Sequence, residues 1–278
     1  MLRHILILPI CLVTLIVSQS CNNPASQSDK NKASRDTVLK EEDVTYNSDS
    51  ITMKGFVVYD ENKKGKRPAI LVVHEWWGLN DYIKNRARQL AKLGYVAMAV
   101  DMYGNGKTAP DPETAQALAM PFYSDPQLAK KRLDAAEEKI KQLAQTDTSK
   151  IAAIGYCYGG YVVLNAAKLG ADLQGVVSFH GDLSGVPVQK DKLNASILVL
   201  HGADDKFVTE QAVNNFKRQM DSAGINYTFR IYPGATHAFS NPEATALGEK
   251  FKIPIAYNAE ADKNSWEAMK NFLEDIFK

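Results

Sequence analysis

The sequence predicts an α/β domain, with a mostly parallel central sheet and helices on both faces. Three observations carry this. Continuous apolar runs such as Ala69-Ile-Leu-Val-Val-His74 have the length and branching of strands buried on both sides, where polar alternation disappears. Segments with apolar residues at helical spacing separate those runs. Strands that alternate with helices build a parallel sheet covered on both faces, because each parallel connection needs a crossover long enough to hold a helix.

The elements follow in order. Residues 44–59 read as two short strands around the turn-rich Asn47-Ser48-Asp49-Ser50. After the strand at 69–74, Asp81 can cap a helix with apolar residues at Ile83, Ala87, Leu90 and Ala91, and Gly94 ends it. Residues 95–100 form the next strand. Residues 102–125 carry Gly104, Gly106, Pro110, Pro112 and Pro121, so they read as an excursion rather than a plain crossover. A helical stripe at Ala129, Leu133, Ala136, Ile140 and Leu143 marks 127–144. Strands are then expected at 151–156, 175–179, 197–200 and 227–232. A helix at 209–222 lies between the last two, and a closing helix turns Trp266, Met269, Phe272 and Ile276 inward.

Composition narrows the class of function. Lys plus Arg number 33 against 32 for Asp plus Glu, a formal net charge of +1. Without a basic surplus or stripe, nucleic acid is not the expected partner. Hydrophobic residues at 45% and charged ones at 23% exclude a mainly disordered chain. The three cysteines, Cys11, Cys21 and Cys157, are odd in number and unpaired in spacing. They indicate neither a disulfide framework nor a zinc site, and no metal or organic cofactor is implied.

Residues 1–20 read as a signal peptide: Arg3 and His4 precede an apolar run over 5–17, broken by Pro9 and too short to span a bilayer with ease. The segment Val17-Ser18-Gln19-Ser20-Cys21 resembles the lipobox of bacterial lipoproteins. That resemblance implies that Cys21 becomes the first mature residue and carries acyl chains that hold the protein at a membrane. Asn22 then fits delivery to the outer membrane, facing the periplasm or the cell surface. Residues 22–35 hold no large apolar side chain, so 21–41 reads as a flexible tether and 42–278 as the folded domain.

The chemistry is concentrated at Gly155-Tyr156-Cys157-Tyr158-Gly159-Gly160, between a strand and a helix. A nucleophile elbow holds its central residue in a strained turn, and small residues two places either side prevent clashes. The turn presents the Cys157 side chain at a helix N-terminus, where the dipole favours negative charge, and directs the Tyr158 N–H toward an oxyanion hole. An acid and then a base should follow. His201-Gly202-Ala203-Asp204-Asp205 supplies two candidate acids after one strand, and Thr236-His237-Ala238-Phe239 supplies the base after the last. His74, His180 and His201 all end strands and read more simply as hydrogen-bonded packing residues.

These motifs, together with His74-Glu75-Trp76-Trp77-Gly78 after an earlier strand, resemble the dienelactone hydrolases, α/β-hydrolases with a cysteine nucleophile. The likeness runs from about Asn47 to Phe277. The family's Gly-x-x-Asp spacing selects Asp205 over Asp204, and its Gly-His-x-Phe matches the segment around His237. The resemblance implies that Glu75 interacts with the resting thiol and that the Trp76 N–H is the second oxyanion donor. It also implies an aromatic cleft walled by Trp77, Tyr103, Phe122, Tyr123 and Phe239. Family members that cleave dienelactone hold its carboxylate with cationic side chains, one of them shortly after the catalytic histidine. Here Ala-Phe-Ser-Asn-Pro follows His237, and Lys107 is the sole cation between Asp101 and Asp125. The expected activity is hydrolysis of a carboxylic ester or lactone by a Cys-His-Asp triad through a thioester. Two other readings use the same residues: a binding module on a degenerate hydrolase fold, and a redox protein acting through Cys157. The complete triad speaks against the first, and the lack of a resolving cysteine in the folded domain against the second.

Overall fold

Residues 1–2 and 37–278 are described in the computed structural model of the protein. The expected signal peptide, the Cys21 lipidation site and nearly all of the tether lie outside them. The folded unit begins with a hairpin of β1 (Leu39–Ser48) and β2 (Ile51–Asp60), in which Ser48 pairs with Ile51. Asp49 turns the corner at φ 54°, a left-handed conformation that short polar side chains tolerate. Leu39 pairs with Asp60, so β1 reaches back into the stretch that composition assigns to the tether. Ladder pairing with β2 orders residues whose side chains alone would not.

The hairpin joins a sheet of eight strands in the order β1-β2-β4-β3-β5-β6-β7-β8. These are β3 (Arg67–Val73), β4 (Val96–Val100), β5 (Thr146–Tyr156), β6 (Gly175–Phe179), β7 (Ser196–Gly202) and β8 (Tyr227–Tyr232). From β4 onward every neighbouring pair is parallel, and β2 lies antiparallel on β4. Chain order reverses around β3, so the carboxyl ends of β3 and β5 flank the crevice where open α/β sheets bind ligands.

Each strand feeds two cores. Ala69, Leu71 and Val73 face the layer of α3 (Pro126–Lys141), α4 (Tyr158–Lys168) and α5 (Glu210–Ser222). Ile70 and Val72 face α1 (Asp81–Lys92) and α7 (Ala259–Ile276). Burial on both sides explains the unbroken apolar run that marks β3 in the sequence.

Two local expectations change. The α1 cap is Asn80, whose side chain accepts the Ile83 N–H, and Asp81 is the first helical residue. Residues 102–125 also contain α2 (Pro112–Ser124). Pro112 sits in the first turn, where its missing N–H costs nothing, and Asp111 caps the helix. Pro121 lies within α2, and tertiary packing of Ala115, Ala119 and Phe122 outweighs its penalty. The cap can be tested directly. Asn80→Ala should lower unfolding stability in urea by about 1 kcal/mol, and Asp81→Ala by only a few tenths, since it loses a dipole interaction but no cap.

Candidate active site

Cys157 stands between β5 and α4 with φ 52° and ψ −114°, a conformation that a side-chain-bearing residue adopts only when its surroundings force it. The glycines two places either side make this turn possible. A Cβ on Gly155 would collide with the Gly159 carbonyl, and one on Gly159 with the Val73 carbonyl at the end of β3. The Cys157 N–H donates to the Phe179 carbonyl at 3.0 Å and to His180 Nδ1 at 3.1 Å. His180 therefore carries its proton on Nε2 and donates it to Ser240 Oγ at 2.7 Å. Burial, then the charges of His237 and Arg86, hold His180 well below its ordinary value, so this ring is a neutral support beneath the nucleophile.

The other two strand-end histidines are also packing groups. His74 is fully buried, with Nδ1 bonded to the Glu75 carbonyl at 2.5 Å and Nε2 accepting the Met102 N–H at 3.3 Å. Burial pushes it down to about 4. His201 is buried, and that burial likewise lowers it.

His237, on the loop after β8, differs from all of these. Asp205 Oδ2 lies 2.8 Å from its Nδ1. Asp205 Oδ1 accepts the N–H groups of Phe207 and Val208 at 2.8 and 3.1 Å, which fixes the carboxylate, whereas Asp204 is exposed. Burial disfavours a charged ring, but the Cys157 sulfur and the Asp205 carboxylate outweigh it and hold His237 well above its ordinary value. In the same way, the bonds and charge of His237 and the two backbone N–H groups overcome burial and hold Asp205 below its ordinary value. The arrangement is a thiol, an imidazole and a carboxylate in sequence, able to transfer a proton at the sulfur and to stabilise the imidazolium.

Glu75 is 2% exposed and accepts one hydrogen bond from Asn241 Nδ2 at 2.7 Å. Burial pushes its carboxyl up to about 7, against the lowering effects of Asn241, His237 and Arg86. Asn241 falls shortly after His237, so a neutral amide stands in the region where the resemblance would put a cation. Trp76 and Tyr158 are both next to site residues, and among the described residues neither N–H donates to another group. The Tyr103 hydroxyl donates to the Trp76 carbonyl at 2.9 Å and anchors that peptide.

A cavity of about 400 Å³ opens over Cys157, Glu75 and His237. Of the five aromatic residues expected to wall it, Trp77 and Tyr123 do, and Trp76 joins them. Tyr103, Phe122 and Phe239 do not. Tyr103 and Phe122 pack on the ring of Tyr158, the residue after the nucleophile, whose side chain turns down into the core. Phe239 is fully buried against His180 and Tyr232 on the other face of the sheet. Sequence reasoning missed Met120, Gln116, Asp182 and Phe207, which line the cavity with Ala119, Val208, Ala238 and Ile255. Phe207 was open to inference, being two residues past Asp205 with its ring 4.9 Å from that of His237. Met120 and Gln116 depended on seeing α2 as a helix. Among the described residues, no cluster of His, Cys, Asp and Glu could hold a metal ion.

Fold and site together define an α/β-hydrolase with a thiol at its elbow. The chain belongs to the dienelactone hydrolase family, whose model matches residues 53–277, and by class it is a hydrolase of ester bonds. It is 33% identical to a dienelactone hydrolase-like promiscuous phosphotriesterase from metagenomic libraries, with a TM-score of 0.80 over 86% of this chain and 98% of that one. It is 27% identical over 277 residues to a Saccharolobus solfataricus protein assigned as a carboxymethylenebutenolidase, covering 86% of this chain and all of that one. A protein of Aquifex aeolicus with the same assignment is 26% identical over 84% of this chain and 98% of its own length.

The raised Glu75 carboxyl has a consequence for stability. A carboxyl that binds its proton more tightly in the folded state stabilises the fold fully below about pH 4.5, and that contribution is lost as pH rises through about 7. The loss is of order 3 kcal/mol. Glu75→Gln should therefore match wild type in urea unfolding at pH 4 and exceed it by up to about 3 kcal/mol at pH 8. Equal stabilities at both pH values would show that the carboxyl is not strained.

Proposed function

We propose that the protein hydrolyses carboxylic esters or lactones through a Cys157-His237-Asp205 triad. One observation carries the reading: a cysteine in a strained elbow faces an imidazole whose other nitrogen is held by a buried carboxylate at 2.8 Å. The Cys157 sulfur attacks the carbonyl carbon, and the developing oxyanion is met by the N–H groups of Trp76 and Tyr158. The tetrahedral intermediate collapses to a thioester as the alcohol leaves with a proton from His237. Water then attacks the thioester and gives a proton to His237. Collapse expels the thiolate and releases the carboxylic acid. Asp205 keeps the ring oriented and stabilises its charged form. Glu75, which carries its proton over part of the neutral range, sits beside the nucleophile as the group that adjusts its protonation when substrate enters.

The substrate proposed is an ester or lactone that carries no carboxylate. Among the described residues neither Lys nor Arg lines the cavity. The buried Arg86 is engaged with the Ser240 carbonyl and with Asp262, both at 2.5 Å, beneath the site. The proposal extends to location. Cys21 is the lipid attachment point, and the hydrolase works at the cell envelope on the end of its tether.

Three outcomes are expected. Cys157→Ala should reduce hydrolysis of aryl esters at least a thousandfold, on the order found when such nucleophiles are removed, while Cys157→Ser retains a weak activity that requires His237. Wild-type rates in Cys157→Ala would end the triad reading. Neutral aryl esters should show kcat/KM at least equal to that of a carboxylate-bearing lactone, and a hundredfold preference for the anion would mean that a cation reaches the pocket. Wild-type protein should partition with membranes and Cys21→Ser should not, whereas a fully soluble wild type starting at another residue would remove the anchor.

A further inference from the structure

Apart from His237, which is paired with Asp205, the acidic and basic side chains lining the cavity beside Cys157 are carboxyls. Among the described residues its lining holds two carboxyl side chains, Glu75 and Asp182, and neither Lys nor Arg. Its large side chains include four aromatics, Trp76, Trp77, Tyr123 and Phe207. The two carboxyls are placed differently. Glu75 is buried at the base and bonded to Asn241. Asp182 lies on the loop after β6 and is only partly covered. Its Oδ1 accepts the Ser184 N–H at 2.7 Å, which orients the side chain, and among the described residues Oδ2 has no protein partner.

Tyr123 connects this carboxylate to the nucleophile. Burial raises its phenol far above the ordinary range, and the negative charges of Cys157 and Asp182 add to the effect, so the ring lies within electrostatic reach of both. One buried cation also senses Asp182. Lys168 forms no ion pair with it, stands over the Phe216 ring at 5.5 Å and does not line the cavity. Burial pushes that amine down to about 8, which weakens it further as a counter-charge. The pocket wall thus offers an acceptor without a donor beside rings whose faces attract cations. An anionic group would enter against the Asp182 carboxylate, and a neutral alkyl group would leave its oxygen unanswered.

We infer that the pocket selects esters bearing an ammonium group, with Asp182 as the specificity-determining residue and the aromatic wall as the surface on which the cation rests. The inference deepens the proposed hydrolase reading and rests on it for the reaction, though not for the binding preference. The ammonium does not react. It fixes the ester along Tyr123 with its carbonyl at Cys157.

The test uses p-nitrophenyl esters whose acyl chains end in trimethylammonium, tert-butyl or carboxylate, and acetate esters carrying the same three groups on the alcohol. In at least one series the ammonium ester should exceed its tert-butyl isostere in kcat/KM by about fivefold or more, with the carboxylate lowest. The gap should narrow at high salt. Asp182→Asn keeps the acceptor for Ser184 and should bring the ammonium-to-neutral ratio close to one. A ratio unchanged in that variant, or a carboxylate ester matching the ammonium ester, overturns the inference. Binding is read separately in Cys157→Ala by quenching of Trp76 and Trp77 fluorescence with choline and its tert-butyl isostere. Asp182-dependent preference for choline in a protein that hydrolyses none of the esters would sink the hydrolase reading and leave the pocket assignment standing. Hydrolysis without charge preference, or choline binding indifferent to Asp182→Asn, would do the reverse.

Discussion

The close approach of α4 to the end of β3 is the constraint on which the site depends. Gly159 lies against the Val73 carbonyl, and Gly155 lies against Gly159, with no room for a Cβ at either place. That contact forces the chain to turn within one residue between β5 and α4, and Cys157 is the residue so turned. Its strain is sustained by the packing of the buried end of β5, Ile151 to Tyr156, and of the fully buried α4, which a small local preference could not supply. The position of Cys157, the Tyr158 N–H and the direction of the Tyr158 ring all follow from this one turn.

Beneath the elbow the protein uses uncharged polar groups where charges would be costly. Cys157 N–H, His180, Ser240 and Tyr82 form a buried chain, with the Ser240 Oγ to Tyr82 hydroxyl distance at 2.9 Å. The permanent charge of Arg86 is placed at the far end, against Asp262 and between aromatic rings of Tyr82, Tyr156 and Trp266. Above the elbow the pattern reverses, and His237 is held in a charged form by the groups around it. Two histidines whose rings are 5.4 Å apart thus take opposite protonation tendencies because one faces a hydroxyl and a backbone N–H and the other faces a sulfur and a carboxylate.

Asn241 changes the character of the site. It holds Glu75 by a single neutral hydrogen bond, which leaves burial as the dominant influence on that carboxyl. A permanent cation at the same place would have kept Glu75 ionised and given an anionic substrate a partner. Its absence and the presence of Asp182 give the cavity an acidic and aromatic character.

The amino-acid sequence by itself determined the strand–helix alternation, the elbow and the order of acid and base. Each depends on short-range signals: unbroken apolar runs, glycines at fixed offsets, and residues on loops directly after strands. The sequence left Asp204 and Asp205 both open, and it was the resemblance to the dienelactone hydrolases that favoured Asp205. Tertiary structure decided which aromatic residues face the cavity, because Tyr103, Phe122 and Trp77 share a composition signal and differ only in what packs against them. It decided that His180 supports Cys157, a contact across 23 residues that no local pattern records. It decided too that Pro121 lies within a helix, since burial of one face of α2 can override a local preference against helix. The placement of Asp182 belongs to this second group, for it lines one cavity with Cys157 only because β5 and β6 lie side by side in the sheet.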